Sequence, residues 1–209
     1  MYKLILASQS PRRKELLKMI ESEFEIKVSN CEETITSSEP KQVTMELAEQ
    51  KAMAAATELN RQKKNDKQIE TTVKDEDSFI VIGADTVVAS GTEIFGKPKD
   101  KDDARRMINK ISGASHQVYT GVALVLVKGG KVERIDVFSE KTDVEVEHMS
   151  SQEIEEYISS TEPYDKAGGY GIQGTFGKYV TGIKGDYNNV VGLPVCRLYN
   201  ELKKCIKNI

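Results

Sequence analysis

Two adjacent arginines, Arg12 and Arg13, follow the segment Leu6-Ala7-Ser8-Gln9-Ser10-Pro11. Ser10-Pro11 has the form of a helix N-cap followed by proline at the first helical position. Free backbone N–H groups at a helix start attract anions, and arginine there opposes the helix dipole. A polyanion would resolve that conflict, because the forked donors of two arginines suit phosphate. Two surface arginines reaching into solvent would account for the same residues. Lys51 falls inside an apolar stripe, four residues from Leu47 and from Ala55, so it needs either a partner or a wet cleft. A stem packed on the helix with its ammonium at the rim is the plainer alternative. Asp85 interrupts the apolar run Phe79–Val88. A buried unpaired carboxylate is costly, so Asp85 should be paired, metal-bound or at a functional strand end; a structural turn-capping aspartate is the alternative. Gly83 and Ala84 just before it leave room for a ligand's close approach. Lys97 is presented by the turn Gly96-Lys97-Pro98, and Lys166 opens a glycine-rich stretch. A cationic cleft of Arg12, Arg13, Lys51, Lys97 and Lys166 holding the carboxylates of Glu33 and Asp85 matches the needs of a triphosphate with a divalent cation.

These residues require a scaffold of alternating strands and helices. Strands are expected at Tyr2–Ala7, Phe24–Val28, Phe79–Val88, Glu93–Phe95, Val118–Val127 and Val132–Val146, the last two joined by a hairpin at Gly129-Gly130. Helices are expected after Ser10, over Lys41–Leu59, Asp100–Ile111 and Ser150–Ile158, and in an amphipathic segment at the C-terminal end whose Leu198, Leu202, Cys205 and Ile206 share one face. Gly168–Gly192 reads as a glycine-rich stretch, and the polar Arg61–Ser78 as a solvated loop insertion. The pattern is α/β or α+β with a mixed sheet.

Composition narrows the function. The 209 residues suit one domain; 38% are hydrophobic, enough for a core, and 30 basic against 33 acidic residues give a net charge of -3. That balance lacks the footprint of a nucleic-acid-coating protein. The apolar opening is too short for a signal-peptide core, and no run suggests a membrane span. Cys31, Cys196 and Cys205 form no metal or disulfide pattern, which suits a reducing cytosol. With only His116 and His148, any metal should be a hard cation held by oxygens.

The chain resembles the Maf family of nucleoside triphosphate pyrophosphatases, once called septum-formation proteins. The resemblance rests on LILASQSPRRKELL at Leu4–Leu17, MELAEQKA at Met45–Ala52, GADTVV at Gly83–Val88, GKP at Gly96–Pro98, SGASHQVYTG at Ser112–Gly121, EPYDKAGGYGIQG at Glu162–Gly174 and GDYNNVVGLP at Gly185–Pro194. It implies one elongated α/β domain over 1–209, similar to inosine triphosphatases, with a central mixed sheet and a cleft between two lobes. It also implies hydrolysis between the α and β phosphates, a divalent cation (Mg²⁺, with Mn²⁺ as the alternative) and a homodimer. Asp85 falls on the family's proton acceptor; Ser8, Arg13, Glu33, Lys51, Lys97 and Gln173 fall on active-site positions. The metal would lie on Glu33 and Asp85, and the phosphates on Ser8, Arg13, Lys51 and Lys97. Arg12, Thr86 and Gln173 resemble the dTTP/UTP branch rather than the 7-methyl-GTP branch. The glutamine amide can both donate and accept, matching the acceptor-donor-acceptor edge of uracil or thymine. Two departures are the insertion and Thr175-Phe176, which borders the expected cleft and bears on substrate preference. A non-catalytic nucleotide-binding regulator of cell division, and the same chemistry on methylated purines, are the alternative readings.

Overall fold

The structure is a computed structural model that describes residues 2–28, 32–66 and 78–207. Its centre is a seven-stranded mixed sheet. Strands β1 (Lys3–Leu6), β2 (Glu25–Ile26), β3 (Ser78–Ser90), β4 (Glu93–Phe95), β5 (Ser115–Lys128), β6 (Lys131–Val146) and β7 (Val180–Lys184) run in the order β2-β1-β3-β5-β6-β7, with β4 beside β3. β1 is parallel to β2 and β3; the other pairings are antiparallel. The long hairpin β5–β6 forms where Gly129-Gly130 was expected to turn the chain.

Among the described residues six α-helices pack around the sheet: α1 (Pro11–Leu17), α2 (Pro40–Asp66), α3 (Lys101–Ile111), α4 (Ser151–Ile158), α5 (Tyr187–Val191) and α6 (Val195–Lys207). α2 lies on one face, where Ala48, Ala52, Ala55 and Ala56 pack with Ile5, Val81, Ala123 and Val125. On the other face, Leu16 and Leu17 of α1 and Leu198, Leu202 and Cys205 of α6 pack on Ile80, Ile82, Leu124 and Leu126. A second lobe forms around Ile108, Ile111, Ile154, Ile158, Tyr170 and Phe176, drawing on α3, α4 and the glycine-rich stretch.

β3 has an interrupted edge. β1 pairs with it only as far as Leu6↔Ile82, and β4 begins at Val88↔Phe95. Residues 83–87 of β3 therefore face the gap through which the chain leaves β1 for α1. That gap joins the two lobes and opens the cleft described below.

Several expectations change. α2 continues past Leu59 to Asp66, because Arg61, Gln62, Lys63 and Lys64 are good helix formers and only the apolar pattern stops. The rest of the expected insertion, residues 67–77, lies outside the described residues, as does Cys31. β2 is only two residues long. The glycine-rich stretch contains β7, α5 and a 3₁₀ turn at Thr175–Tyr179, and two further 3₁₀ turns, Pro163–Asp165 and Ala167–Gly169, lead into it. Ile206 is exposed rather than on the buried face of α6. Gly83 leaves no room for a ligand: a Cβ there would lie 2.2 Å from Ala48 O, and one on Gly121 would lie 2.1 Å from Thr44 O. Both glycines let the backbone of α2 sit directly on the sheet.

Candidate active site

Strand alternation sends neighbouring side chains to opposite faces. Asp85 points to the α2 side of the sheet and Thr86 to the α1 side. The dipeptide thereby addresses two helices at once.

On the α2 side, Lys51 Nζ donates to Asp85 Oδ1 and lies 3.1 Å from Glu33 Oε1. The close seating of α2 on Gly83 and Gly121 is what brings Lys51 within reach of β3. Of the two adjacent glutamates, Glu33 is the one whose carboxylate meets Lys51. It is held there by clips between the following residues and α2. Thr34 N donates to Gln50 Oε1 (2.9 Å) while Gln50 Nε2 donates to Thr34 O (2.6 Å). Thr36 N and Oγ1 both donate to Glu46 (2.9 and 2.6 Å), and the Thr36 hydroxyl and amide hold that carboxyl below its ordinary pKa.

On the α1 side, Ser10 caps the helix by accepting from Arg13 N, as the serine-proline pair predicts. The Arg13 side chain turns back into the cleft. Nη2 donates to Thr86 Oγ1 (3.0 Å), Nη1 to Ser8 Oγ (3.3 Å) and Nε to Gly192 O (2.9 Å). Burial lowers the pKa of this guanidinium, Asp85 partly restores it, and neighbouring Arg12 depresses it further. Gly192 ends α5 at φ 127°, a backbone conformation that L side chains rarely adopt.

The second lobe contributes Glu162, Asp165 and Lys166. Lys166 Nζ donates to Asp165 and to Glu162 O, and Arg12 Nη1 reaches Asp165 Oδ2 across the cleft at 3.4 Å. Burial raises the Asp165 pKa, but Lys166 and Arg12 more than offset it. Glu162 accepts from Thr175 N (2.9 Å) and Oγ1 (2.7 Å), fixing the loop that carries Gln173. These bonds outweigh desolvation and keep the Glu162 carboxyl below its usual range. Gln173 and Lys97 are exposed on the cleft wall and make no hydrogen bond to another described residue.

The cleft has a volume of about 1200 Å³, somewhat above the usual range of small-molecule sites. Ser8, Arg12, Arg13, Glu33, Lys51, Asp85, Thr86, Lys97 and Gln173, all singled out from the sequence, line it. The structure adds two carboxylates, Glu162 and Asp165, to the two anticipated. It also withdraws Phe176 from the wall: its ring is fully buried among Tyr157, Tyr170 and Tyr179, and Thr175 is committed to Glu162. Behind the wall, Thr120 and Asn189 are buried polar residues that the sequence reading did not single out. Their signal was a hydroxyl in the apolar stretch of β5 and an asparagine just after the Asp186 helix cap.

The donors suit a hard cation. Two carboxylates converge on one positive atom, Lys51 Nζ, and Mg²⁺ is commonly held by one or two carboxylates completed by phosphates and water. Among the described residues no group of three or more His, Cys, Asp or Glu forms an all-protein cage. Glu33 and Asp85 are the residues that would share such an ion with a bound polyphosphate.

A mixed α/β sheet opens at an interrupted strand edge, with arginines on one side and a lysine-bridged carboxylate pair on the other, a charge pattern suited to a small polyanion. The profile of the family described as Maf-like protein matches residues 3–205, and the chain belongs to that family. A dTTP/UTP pyrophosphatase of Agathobacter rectalis is 51% identical over 205 residues, covering 98% of each chain. One from Lachnoclostridium phytofermentans is 44% identical, over 98% of this chain and 95% of its own. The fold is similar to that of a HAM1 protein from Coxiella burnetii, with a TM-score of 0.50, 12% identity and coverage of 98% and 100% of the two chains.

Proposed function

We propose that this protein hydrolyses dTTP and UTP, and modified pyrimidine nucleotides of the same edge, to the monophosphate and pyrophosphate, clearing them from the nucleotide pool. The observation that carries the reading is the placement of Asp85 between Lys51 on one face and the Arg13–Thr86 pair on the other, in a cleft sized for a nucleotide. The full-length relatives named for this activity support the choice of base.

The residues divide the work. Asp85 accepts a proton from a water that attacks the α-phosphorus in line. The bond between that phosphorus and the α–β bridging oxygen breaks, and pyrophosphate departs with the bonding electrons. Arg13, Lys51 and Lys97 offset the charge that collects on the leaving group, and Ser8 adds a hydroxyl at the helix start. Arg12 and Gln173 face the nucleoside side of the cleft. Thr86 influences preference through Arg13, since its hydroxyl is already engaged. A Mg²⁺ or Mn²⁺ ion held by Glu33 and Asp85 would supply charge neutralisation and a more acidic bound water. We place the working enzyme in the cytosol as a homodimer, acting on free nucleotides rather than on nucleic acid. Among the described residues no helix is long and apolar enough to cross a membrane.

The test is to incubate the purified protein with dTTP and Mg²⁺ and to separate the products. Equimolar dTMP and pyrophosphate are expected. Orthophosphate would place cleavage at the wrong bond, and binding without turnover would favour a non-catalytic sensor. A competition among dTTP, UTP, dCTP, GTP and 7-methyl-GTP checks the base; dTTP and UTP should win.

A further inference from the structure

A chain of buried hydrogen bonds runs from the cleft into the core, and its proton directions are determined. Thr120 Oγ1 donates its single proton to Asn189 O (3.0 Å). Its contact with Thr86 Oγ1 (2.9 Å) must then be one in which Thr86 donates. Thr86 has spent its only proton, so it presents lone pairs alone to Arg13 Nη2 (3.0 Å). Each hydroxyl is oriented by the next, and the series ends on a fixed backbone carbonyl.

That carbonyl is itself anchored. Asn189 Nδ2 donates to Val118 O and to Thr142 Oγ1, both at 3.0 Å, tying α5 to β5 and β6. Thr142 Oγ1 donates to Asp186 O (3.0 Å) and accepts from Asp186 N (3.1 Å). Thr120, Thr142 and Asn189 are all fully buried, and Asn189 Oδ1 has no partner among the described residues. With its acceptor unpaired, the Asn189 amide acts here through its two donors. The same short helix delivers Gly192 O to Arg13 Nε. α5 thus holds the guanidinium twice, once directly and once through Asn189, Thr120 and Thr86.

We propose that Thr120 and Asn189 are positioning residues that aim Arg13 at the polyphosphate. This rests on the functional reading above, in which Arg13 meets the phosphates. Without the Thr120 hydroxyl, the Thr86 proton loses its acceptor and the Thr86 hydroxyl is no longer held in the orientation that presents its lone pair to Arg13.

The experiment measures binding of α,β-imido-dTTP with Mg²⁺ by calorimetry. Thr120→Val, which keeps the shape and removes the hydroxyl, should weaken binding about ten-fold. Thr120→Ser should restore it to within about two-fold, since the hydroxyl returns. In an Arg13→Gln background, Thr120→Val should add nothing, because the residue it aims is gone. A loss that persists undiminished in that background, or no loss in the single variant, would overturn the proposal. If Thr120→Val does not fold, Thr86→Val breaks the same link from the cleft side and must show the same non-additivity with Arg13→Gln. Failure of the wild-type protein to bind the analogue would instead sink the functional reading itself.

Discussion

The ammonium of Lys51 and the carboxylate of Asp85 form a direct ion pair across the seam between α2 and β3, with Glu33 on the ammonium's other side. The Asp85 side chain is only 15% exposed and that of Lys51 23%. Removing the cation leaves the largely buried Asp85 carboxylate without its counter-charge and beside a second carboxylate, that of Glu33. Lys51→Met should therefore lose thermal stability without divalent cations, and Mg²⁺ should raise its Tm by more than it raises that of the wild type. Paired thermal melts with and without Mg²⁺ check this; equal Mg²⁺ shifts would contradict it.

Asp85→Asn removes the proton acceptor and one negative charge but almost no volume. Its kcat for dTTP should fall by at least about 100-fold, the usual weight of a positioned base, while KM moves by no more than about three-fold. Steady-state kinetics with pyrophosphate detection separate the two parameters. An unchanged kcat would remove Asp85 from the proton transfer.

The seating of α2 depends on two missing side chains. A methyl group on Gly83 or Gly121 would lie 2.2 or 2.1 Å from a helix carbonyl oxygen, and α2 would have to lift. Each Gly→Ala change should cost at least about 3 kcal/mol, the upper end of overpacking effects. Gly96→Ala serves as the control, because nothing lies within 4 Å of the added atom; it should stay within about 0.5 kcal/mol of wild type. Urea unfolding of the three variants decides the matter.

The same two glycines show where sequence reading stops. Gly83 advertises a close approach but does not say by what, and only the tertiary fold reveals α2 rather than a ligand. Asp85 and Lys51 stood out because each breaks an apolar pattern, and Arg12-Arg13 because they oppose a helix dipole. Those signals are local. Thr120 and Asn189 break no pattern strongly enough, and their roles arise from partners 69 and 71 positions away in the chain. The strands of the hairpin were legible from their apolar runs. β7 was hidden because glycine masks periodicity, α5 because five residues are too few to show a helical period, and the end of α2 because a helix can outlast its apolar face.

His116 supplies a stability test with a defined sign. It is fully buried, its Nε2 lies 2.6 Å from Tyr170 Oη, and its Nδ1 has no hydrogen-bond partner among the described residues. Desolvation pushes its pKa down to about 4. Between the ordinary histidine value and that one, the unfolded chain binds a proton that the folded chain refuses. Stability from this group is therefore complete above about pH 6.5 and is lost as pH falls toward 4. Between pH 7 and pH 5 the wild type should lose about 2 kcal/mol more than His116→Gln, which cannot titrate. Urea unfolding of both proteins at the two pH values measures the difference; parallel losses would mean that His116 is charged in the fold.

Selectivity for the pyrimidine edge should depend on both Gln173 and the residue that holds its loop. The Gln173 amide offers a donor and an acceptor to uracil or thymine, whereas cytosine presents an exocyclic donor where the uracil edge has an acceptor. Gln173→Glu removes the donor and should shrink the dTTP-over-dCTP ratio of kcat/KM by at least about ten-fold, through an unpaired polar contact. Glu162→Ala touches no base, but it frees Thr175 N and Oγ1 and with them the loop carrying Gln173. It should reduce the same ratio by a smaller factor and chiefly through KM, since the catalytic side of the cleft is intact. Competition between dTTP and dCTP in one reaction reads both variants directly. A ratio unchanged in Gln173→Glu would assign base reading to another part of the wall, with Arg12 the next residue to substitute.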